Sequence, residues 1–372
     1  MRMMITGQVG LDRPAYLQQV QEIARLAGEP IRVFNVGDMM YREAPDVRPG
    51  HILDLPLSRL TSLRRAVFRD ILNEAGRYPH VIVNTHATFR WRNGLFSAFD
   101  FDQLAQFKAD IYVTLLDNVE AVHARLLRDG AESHTLKDLL VWREEEILAT
   151  EIISKVSPGK PTPFFVLARG REQSTAQSLF RLLTRPTMRK VYPSFPMSHV
   201  VDMPDVLEEI RRFRRTLSEK FITFDPGDVD EKQLYDRAVA ALGENQQTIN
   251  IEADGRTLSL RTAEIVSVGA DINGQIYARD FMMVRQSDMI VSLIPELPGG
   301  RPGLSSGVER ELQHAFDHGR DVYVIWKPQS GPSPFVTQTA TRVFSSVDEA
   351  IEYFKSAGMI VPHSLFETTG AT

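Results

Sequence analysis

Short apolar runs alternate with longer segments of helical spacing along most of the chain. In the first half, the runs that predict buried strands are 3–5, 31–36, 80–84, 111–116 and 163–168. Between them, apolar residues recur every three or four positions, as in amphipathic helices, over 15–27, 57–73, 119–127, 136–155 and 174–183. Continuous β-branched runs separated by helices indicate a parallel sheet that is covered on both faces.

The alternation stops near residue 186 and then restarts. The segment 185–189 is polar and contains Pro186, which is typical of a linker. Beyond it, strands are predicted at 191–195, 221–224, 265–268, 289–294 and 322–326, and helices at 204–218, 232–242, 276–286, 306–318 and 347–357. Asp254 and Gly255 predict a hairpin turn between two short runs. We therefore predict an α/β protein of two domains, 1–186 and 187–372, each a parallel sheet flanked by helices.

Composition narrows the classes of function. A length of 372 residues fits two domains. The net charge of −5 argues against nucleic acid as a partner, and the arginine-rich segment 211–215 is interpreted as a solvated helix face. The chain has no cysteine, which excludes disulfides, thiolate metal sites and cysteine catalysis. No apolar run reaches the ~18 residues of a membrane span, and the first ten residues lack a signal-peptide pattern. We expect a cytoplasmic protein without a membrane partner.

A loop with the layout of a phosphate-binding loop follows the first predicted strand. It begins at Gly7 and includes Gly10. A functional loop reads G-x-x-x-x-G-K-[ST], in which the lysine neutralises phosphate charge and the hydroxyl ligates Mg²⁺. Here Asp12, Arg13 and Pro14 occupy the positions of the later glycine, the lysine and the hydroxyl. The alternative is a tight strand-to-helix turn with Pro14 in the first helical turn.

The stretch VIVNTHATFR at 81–90 resembles the strand-end motif V-D-T-H-A-T-x-K of archaeal-type adenylate kinases. The resemblance extends over most of residues 1–184. It implies a P-loop kinase-like fold that binds ATP and a nucleoside monophosphate. The family's metal-holding aspartate is Asn84 here, and Pro14 is the second altered position. We therefore expect a degenerate kinase-like domain that binds a nucleotide, with ATP and Mg²⁺ as candidate ligands, or that serves as a scaffold. The predicted nucleotide-binding residues are Gly7, Gly10, Arg13, Thr85, His86 and Arg90.

Residues 305–316 place a carboxylate on the apolar face of a predicted helix. Ser306 and Glu309 form an S-x-x-E capping box, which predicts the helix start. The apolar stripe comprises positions 308, 312, 315 and 316, and Glu311 shares it whereas Glu309 does not. A carboxylate on the core side of a helix requires a partner or a cleft. The N–H groups at the helix start form a candidate anion site.

Residues 190 to about 350 resemble the nucleoside 2-deoxyribosyltransferase superfamily, including its 2′-deoxynucleoside 5′-monophosphate N-glycosidases. The matching pieces are V-Y-x-S-x-P at 191–196, I-x-x-R-D at 276–280, S-x-G-V-x-x-E-L at 305–312 and KPQSG at 327–331. The resemblance implies a flavodoxin- or Rossmann-like fold. It also implies that Glu311 attacks or stabilises C1′ of the sugar, that Asp280 supports protonation of the leaving base, and that Tyr192 lies beside the sugar. The predicted substrate- and phosphate-binding residues are Ser305, Ser306, Gly307, Ser198 and Arg279.

These features predict an enzyme that cleaves the N-glycosidic bond of a (deoxy)nucleoside 5′-monophosphate to a free base and a sugar phosphate, or that transfers the deoxyribosyl group. The expected partner is a small nucleotide, and glycosidic cleavage is expected to need no cofactor or metal. The resemblance implies a homodimer or larger homo-oligomer. Two alternatives stay open. One is a nucleoside or nucleotide kinase fused to a base-processing domain, and the other is a nucleotide sensor that gates a nucleotide or NAD glycohydrolase.

Overall fold

The computed structural model describes residues 1–48, 50–91, 94–130, 134–156, 161–170, 173–197 and 200–360, except for the side chains of Trp91 and Gln173. The strands in these ranges are β1 (Arg2–Thr6), β2 (Arg32–Asn35), β3 (Val81–Asn84), β4 (Thr88–Trp91), β5 (Gly94–Ser97), β6 (Ile111–Leu116), β7 (Phe164–Ala168), β8 (Lys190–Ser194), β9 (Ile222–Thr223), β10 (Thr248–Ala253), β11 (Arg256–Arg261), β12 (Met289–Ile294), β13 (Glu296–Leu297), β14 (Arg301–Pro302), β15 (Asp321–Trp326) and β16 (Arg342–Phe344).

The helices in the same ranges are α1 (Arg13–Leu26), α2 (Val36–Glu43), α3 (Leu57–Ala75), α4 (Phe101–Phe107), α5 (Val119–Arg128), α6 (Leu136–Val156), α7 (Gln173–Thr184), α8 (Pro204–Lys220), α9 (Lys232–Gly243), α10 (Thr262–Ser267), α11 (Gly269–Gln286), α12 (Ser306–Asp317), α13 (Pro334–Thr339) and α14 (Val347–Ser356). Among the described residues, no helix is long and apolar enough to cross a membrane.

The chain divides into two compact units, and one of them is discontinuous in sequence. The first unit comprises Met1–Thr184 and Asp228–Tyr277, and the second comprises Arg185–Gly227 and the described residues from Ala278 to Ile360. The division at Thr184 lies two residues from the predicted boundary. The predicted continuous domains, 1–186 and 187–372, nevertheless differ from this division, because the segment 228–277 packs with the first unit.

The first unit contains a five-stranded sheet in the order β2-β3-β1-β6-β7. All of its pairings are parallel, as the apolar runs predict. The chain leaves β1 towards the β2 edge and leaves β6 towards the β7 edge. The carboxyl ends of β1 and β6 therefore flank the point at which the strand order reverses, where α/β sheets bind ligands. Side chains of α3, α4 and α6 pack on the sheet in one apolar core that includes Phe68, Phe107 and Ile153.

Two antiparallel hairpins supplement this sheet. The predicted turn between β10 and β11 is confirmed, and Asp254 and Gly255 have φ angles of 51° and 71°, which is typical of a two-residue hairpin turn. The hairpin of β4 and β5 was not predicted. The predicted strand at 265–268 is wrong, because α10 covers most of this segment. Ile265 and Val268 are both buried, and their spacing of three suits one face of a helical turn.

Ion pairs with buried arginines hold the segment 228–277 within the first unit. Glu231 is completely buried, and both of its carboxylate oxygens accept from Arg143 of α6, at 2.7 and 3.0 Å. The Nε of Arg143 also donates to Gln275 Oε1 at 3.0 Å. At the hairpin turn, Asp254 accepts from Arg125 Nε at 2.8 Å. Because buried charges require partners, these contacts explain why the segment belongs to this unit.

The second unit contains a parallel five-stranded sheet in the order β16-β15-β12-β8-β9. Numbered within the unit, this is the 2-1-3-4-5 order of flavodoxin-like sheets, in which ligands bind between the first and third strands. Those strands are β8 and β12. The predicted fold class, α/β with parallel sheets flanked by helices, is confirmed.

We expect loss of the charge on Glu231 to destabilise the first unit. Glu231→Gln keeps the shape of the side chain but leaves the guanidinium of Arg143 buried without its counter-ion, which costs about 3–5 kcal/mol. Urea denaturation of the full chain measures the change. The matched control is Asp236→Ala, which removes an exposed ion pair with Lys232 on α9 and is expected to change stability by less than about 1 kcal/mol. Equal losses in the two variants would contradict this account.

Candidate functional site

Glu311 lies on the inner side of α12, as the stripe of apolar residues predicts. Val308, Leu312 and Ala315 are buried on this side, and Glu311 is half-buried between them. The prediction is wrong for Phe316, whose side chain is 51% exposed. Glu311 follows Val308 by three residues and precedes Ala315 by four, so the helix carries its carboxylate on the core side.

The start of α12 differs from its prediction by one residue. Ser305, not Ser306, is the N-cap, and its Oγ accepts from the backbone N–H of Val308 at 3.2 Å. Ser305 has extended backbone angles, as N-cap residues do. Ser306 and Gly307 are exposed in the first helical turn, where backbone N–H groups have no helical carbonyl partner. The predicted phosphate-binding residues are therefore one capping hydroxyl and two exposed backbone donors.

Two hydroxyl groups from β8 hold the carboxyl group of Glu311. Tyr192 Oη is 2.8 Å from Oε1, and Ser194 Oγ is 2.6 Å from Oε2. Tyr192 and Ser194 are two residues apart on one strand, so their side chains share a face of the sheet. Ser292 of β12 donates to Ser194 Oγ at 3.4 Å. The predicted pairing of Tyr192 with Glu311 in one site thus occurs, whereas Ser194 and Ser292 were not among the predicted site residues.

The surroundings of Glu311 favour its neutral form. Burial raises the pKa of Glu311 to about 8, and the negative charge of Asp280 acts in the same direction, while the hydrogen bonds from Ser194 and Tyr192 oppose the shift. Burial also raises the pKa of Tyr192 well above its usual range, and the carboxyl groups of Glu311 and Asp280 add to this effect. A carboxyl group whose pKa is raised by burial and by a neighbouring carboxyl group is the kind that active sites use for acid–base chemistry.

Asp280 reaches this site from a helix, as the predicted helix over 276–286 implies. It lies within α11, and the predicted strand before it does not exist. Asp280 is 8% exposed, and its Oδ1 is 3.4 Å from Nε of Arg279, which is also buried. The predicted residue Ser198 lies outside the described residues. Among the described residues, no group of three or more His, Asp or Glu side chains can hold a metal ion.

The loop after β1 in the first unit requires its glycines. Gly7 and Gly10 have φ angles of 147° and 85°. A Cβ atom on Gly7 would lie 2.7 Å from the carbonyl oxygen of Leu115, and one on Gly10 would lie 2.9 Å from Leu126 Cγ. Pro14 is in the first turn of α1, as the strand-to-helix interpretation predicts. The loop therefore has a fixed and close-packed path.

Arg13, at the position of the phosphate-binding lysine, points into the unit. Its Nη1 donates to the carbonyl oxygen of Gly7, and its Nη2 is 2.8 Å from His86 Nε2. Burial lowers the pKa of Arg13 to about 10 and lowers the pKa of His86, to which the charge of Arg13 also contributes. On the other side of the imidazole ring, Glu146 Oε1 is 3.6 Å from Nδ1. Arg13, His86 and Glu146 thus form one Arg–His–Glu chain within the unit.

The other two predicted side chains of this set also have partners within the unit. Thr85 Oγ1 accepts from Arg64 Nη2 at 2.6 Å. Arg90 Nη2 donates to Glu145 Oε2 at 2.7 Å. Thr85 directly follows β3, beside the loop after β1, so the structure brings it near His86 and Arg13. Arg90 lies on the hairpin strand β4.

The positions that would hold Mg²⁺ do not carry suitable ligands. Asn84 ends β3, and its Nδ2 donates to Asn35 Oδ1 at 2.9 Å. Pro14 offers no side-chain oxygen. Mg²⁺ in such sites is held by carboxylates and hydroxyls. These residues therefore do not fit a Mg²⁺–ATP complex bound in the manner of the adenylate kinase motif.

Comparison with known proteins bears on the first unit. A family model described as an AAA domain matches residues 18–141, and this match begins after the glycine loop. Among solved structures, shikimate kinase from Bacteroides thetaiotaomicron aligns with 49% of this chain and 97% of its own, at 11% identity and a TM-score of 0.34. A siderophore periplasmic binding protein from the fuscachelin gene cluster of Thermobifida fusca aligns with 79% of this chain and 88% of its own, at 12% identity and a TM-score of 0.15. No curated protein sequence matches the chain.

The family match and the parallel sheet support a P-loop kinase-like fold for the first unit. The resemblance of the second unit to deoxyribosyltransferases stays a prediction.

We expect stability to depend on pH through Glu311. The folded protein binds this proton more tightly than the unfolded chain, whose carboxyl titrates near 4.5. The resulting stabilisation is present below pH 4.5 and is lost as the pH rises through about 8. Urea denaturation from pH 5 to 9 should therefore show a falling stability that Glu311→Gln removes. Glu309→Gln, an exposed residue of the same helix, should behave as the wild type. Parallel curves for wild type and Glu311→Gln would show that Glu311 titrates normally.

Proposed function

We propose that the second unit cleaves the N-glycosidic bond of a (deoxy)nucleoside 5′-monophosphate. The observation that carries this proposal is the carboxyl group of Glu311, bonded by the hydroxyls of Tyr192 and Ser194 beside the buried Asp280. The carboxyl group of Glu311 lies beside β8, and β8 and β12 are the strands between which flavodoxin-like folds bind ligands. The motif resemblance of residues 190–350 agrees with this assignment.

The arrangement suits the chemistry of glycosidic cleavage. As the bond to the base breaks, positive charge develops on the sugar. The carboxylate of Glu311 stabilises that charge at C1′ or bonds to C1′ as a nucleophile. A carboxylate has about four lone-pair positions, and Tyr192 and Ser194 occupy two of them. The two hydroxyl bonds therefore orient Glu311 and leave lone pairs for C1′.

The leaving base and the phosphate need further groups. Protonation of the base makes it a better leaving group, and in this proposal Asp280, in its protonated form, donates that proton and is left as a carboxylate. The exposed first turn of α12 offers the backbone N–H groups of Ser306 and Gly307 to a 5′-phosphate. The hydroxyl of Ser305 caps the helix. In this proposal the backbone N–H groups are therefore the main hydrogen-bond donors to the phosphate. A grip on the phosphate fixes the sugar relative to Glu311.

We expect base release to depend on Glu311 and on its ionisation. Purified protein incubated with ribo- and deoxynucleoside monophosphates, nucleosides and NAD should release free base from one substrate class, measured by chromatography. Glu311→Gln should reduce the rate by at least about 10²-fold. The matched control Glu309→Gln should retain it. Because the pKa of Glu311 is raised to about 8, kcat/KM should increase with pH up to that value.

Three outcomes would redirect the assignment. Base release that Glu311→Gln leaves unchanged would remove the proposed role of this carboxyl group. Base release only when a second free base is added would identify deoxyribosyl transfer instead of hydrolysis. No release from any substrate would favour the sensor alternative, in which a ligand of the first unit controls the second.

For the first unit, we propose nucleotide binding without magnesium-dependent phosphotransfer. The family match and the position of the glycine loop at the switch point of the sheet support binding. The inward contacts of Arg13 and the replacements Pro14 and Asn84 argue against a metal-bound triphosphate. A homo-oligomeric state and a cytoplasmic location remain part of this proposal.

We expect Mg²⁺ to have little effect on nucleotide affinity at the first unit. Calorimetric titration with ATP should give dissociation constants within about threefold with Mg²⁺ and with EDTA, because neither Pro14 nor Asn84 supplies a metal ligand. ADP formation should be absent when ATP and a nucleoside monophosphate are supplied together. ADP formation that requires Mg²⁺ would support the kinase alternative.

A further inference from the structure

We propose that Ser194 and Ser292 form a two-hydroxyl relay that positions the carboxyl group of Glu311 for attack on the sugar. In this arrangement Ser194 is a positioning residue, and Ser292 positions Ser194. The role in the reaction rests on the proposed function. The geometry of the relay stands on contacts within the second unit alone.

Strand pairing brings the two serines together. Ser292 of β12 and Ser194 of β8 are direct partners in the parallel register. Both are completely buried. Ser292 Oγ donates to Ser194 Oγ at 3.4 Å, and Ser194 Oγ donates to Glu311 Oε2 at 2.6 Å. The donors therefore point in one direction, from the sheet interior towards Glu311.

The position of Ser292 is unusual for a purely structural residue. It lies in the strand Met289–Ile294, whose residues are all buried and whose other side chains are apolar. A hydroxyl in such surroundings destabilises the fold unless it forms a hydrogen bond. Here its partner is the hydroxyl that bonds to Glu311. Hydrogen bonds in series polarise one another, so the Ser292 bond strengthens the donor that faces the carboxylate.

The relay acts on one oxygen of Glu311, while Tyr192 bonds to the other. Two donors on opposite oxygens fix the plane of the carboxyl group. Without them, rotation about the side-chain bonds of Glu311 would allow several orientations of this plane. The charged or titratable groups that influence this site are Tyr192 on β8 and Arg279 and Asp280 on α11. Ser194 donates to the carboxyl group without adding charge, and a bond of this kind favours the ionised form.

The test measures the titration of Glu311 in the full chain. Unfolding free energies are measured in urea from pH 6 to 10 for each serine variant and for the same variant combined with Glu311→Gln. The difference between the two gives the pH dependence of stability that is due to Glu311 alone, and hence the midpoint of its titration. Ser194→Ala should raise the midpoint of the Glu311 titration by about one pH unit, because it removes a hydrogen bond that favours the ionised form. Ser292→Ala should give a smaller upward shift. Ser194→Cys, which keeps a weak donor, should lie between Ser194→Ala and the wild type.

A matched control deletes another buried hydroxyl from the same unit. Ser287 is buried, and its Oγ donates to the carbonyl oxygen of Met283 within α11. Ser287→Ala should lower stability without moving the Glu311 midpoint. A midpoint in Ser194→Ala that equals the midpoint in Ser287→Ala would overturn the relay.

Base release in the same variants separates the two proposals. With an active enzyme, the acid limb of kcat/KM should move upward in Ser194→Ala by the same amount as the titration midpoint. An unmoved limb in an active Ser194→Ala enzyme would overturn the relay and leave glycosidic cleavage intact. If the wild type releases no base, the proposed function fails, while the titration still decides whether the serines hold Glu311.

Discussion

Parallel strand pairing is the constraint on which both candidate sites depend. When every strand of a sheet runs in the same direction, every loop that follows a strand emerges at one edge. In the first unit this edge collects the glycine loop after β1 and Thr85 after β3. In the second unit, the pairing of β8 with β12 sets Ser194 opposite Ser292 and lets α12 present Glu311 to both hydroxyls of β8. Parallel strand pairing thus brings together functional side chains that lie far apart in the sequence.

The two units differ in the partners of their buried charged and titratable groups. The first unit pairs its buried arginines internally, with Glu231 opposite Arg143 and Asp254 opposite Arg125. Those side chains are committed to holding the unit together. The second unit instead places Glu311 among hydroxyls and near a second carboxyl group, with no basic partner in hydrogen-bond contact among the described contacts. In these surroundings Glu311 has a high proton affinity. A reaction can use this property, whereas folding alone does not require it.

The sequence predicted what depends on local periodicity and missed what depends on long-range contacts. The parallel sheets and the inward face of Glu311 follow from spacing along one strand or helix. Asp280 was predicted from its motif and lies on a helix, as the spacing over 276–286 predicts. The roles of Ser292 and Ser194 depend on a register between strands almost a hundred residues apart, which no local pattern encodes. The attachment of the segment 228–277 likewise depends on the pair Glu231 and Arg143, and each of these residues alone resembles an ordinary surface charge.

The discontinuity of the first unit has a consequence for biosynthesis. A ribosome adds about 5–20 residues per second, and domains generally fold as they emerge. The first unit cannot be completed when residue 184 has emerged, because Glu231 lies in its interior and Gln275 accepts a hydrogen bond from Arg143. During the following ~2–9 s of elongation, Arg143 lacks its counter-ion Glu231. Nascent chains of intermediate length therefore expose a basic, half-formed interior, and truncated forms that end near residue 186 retain this defect permanently.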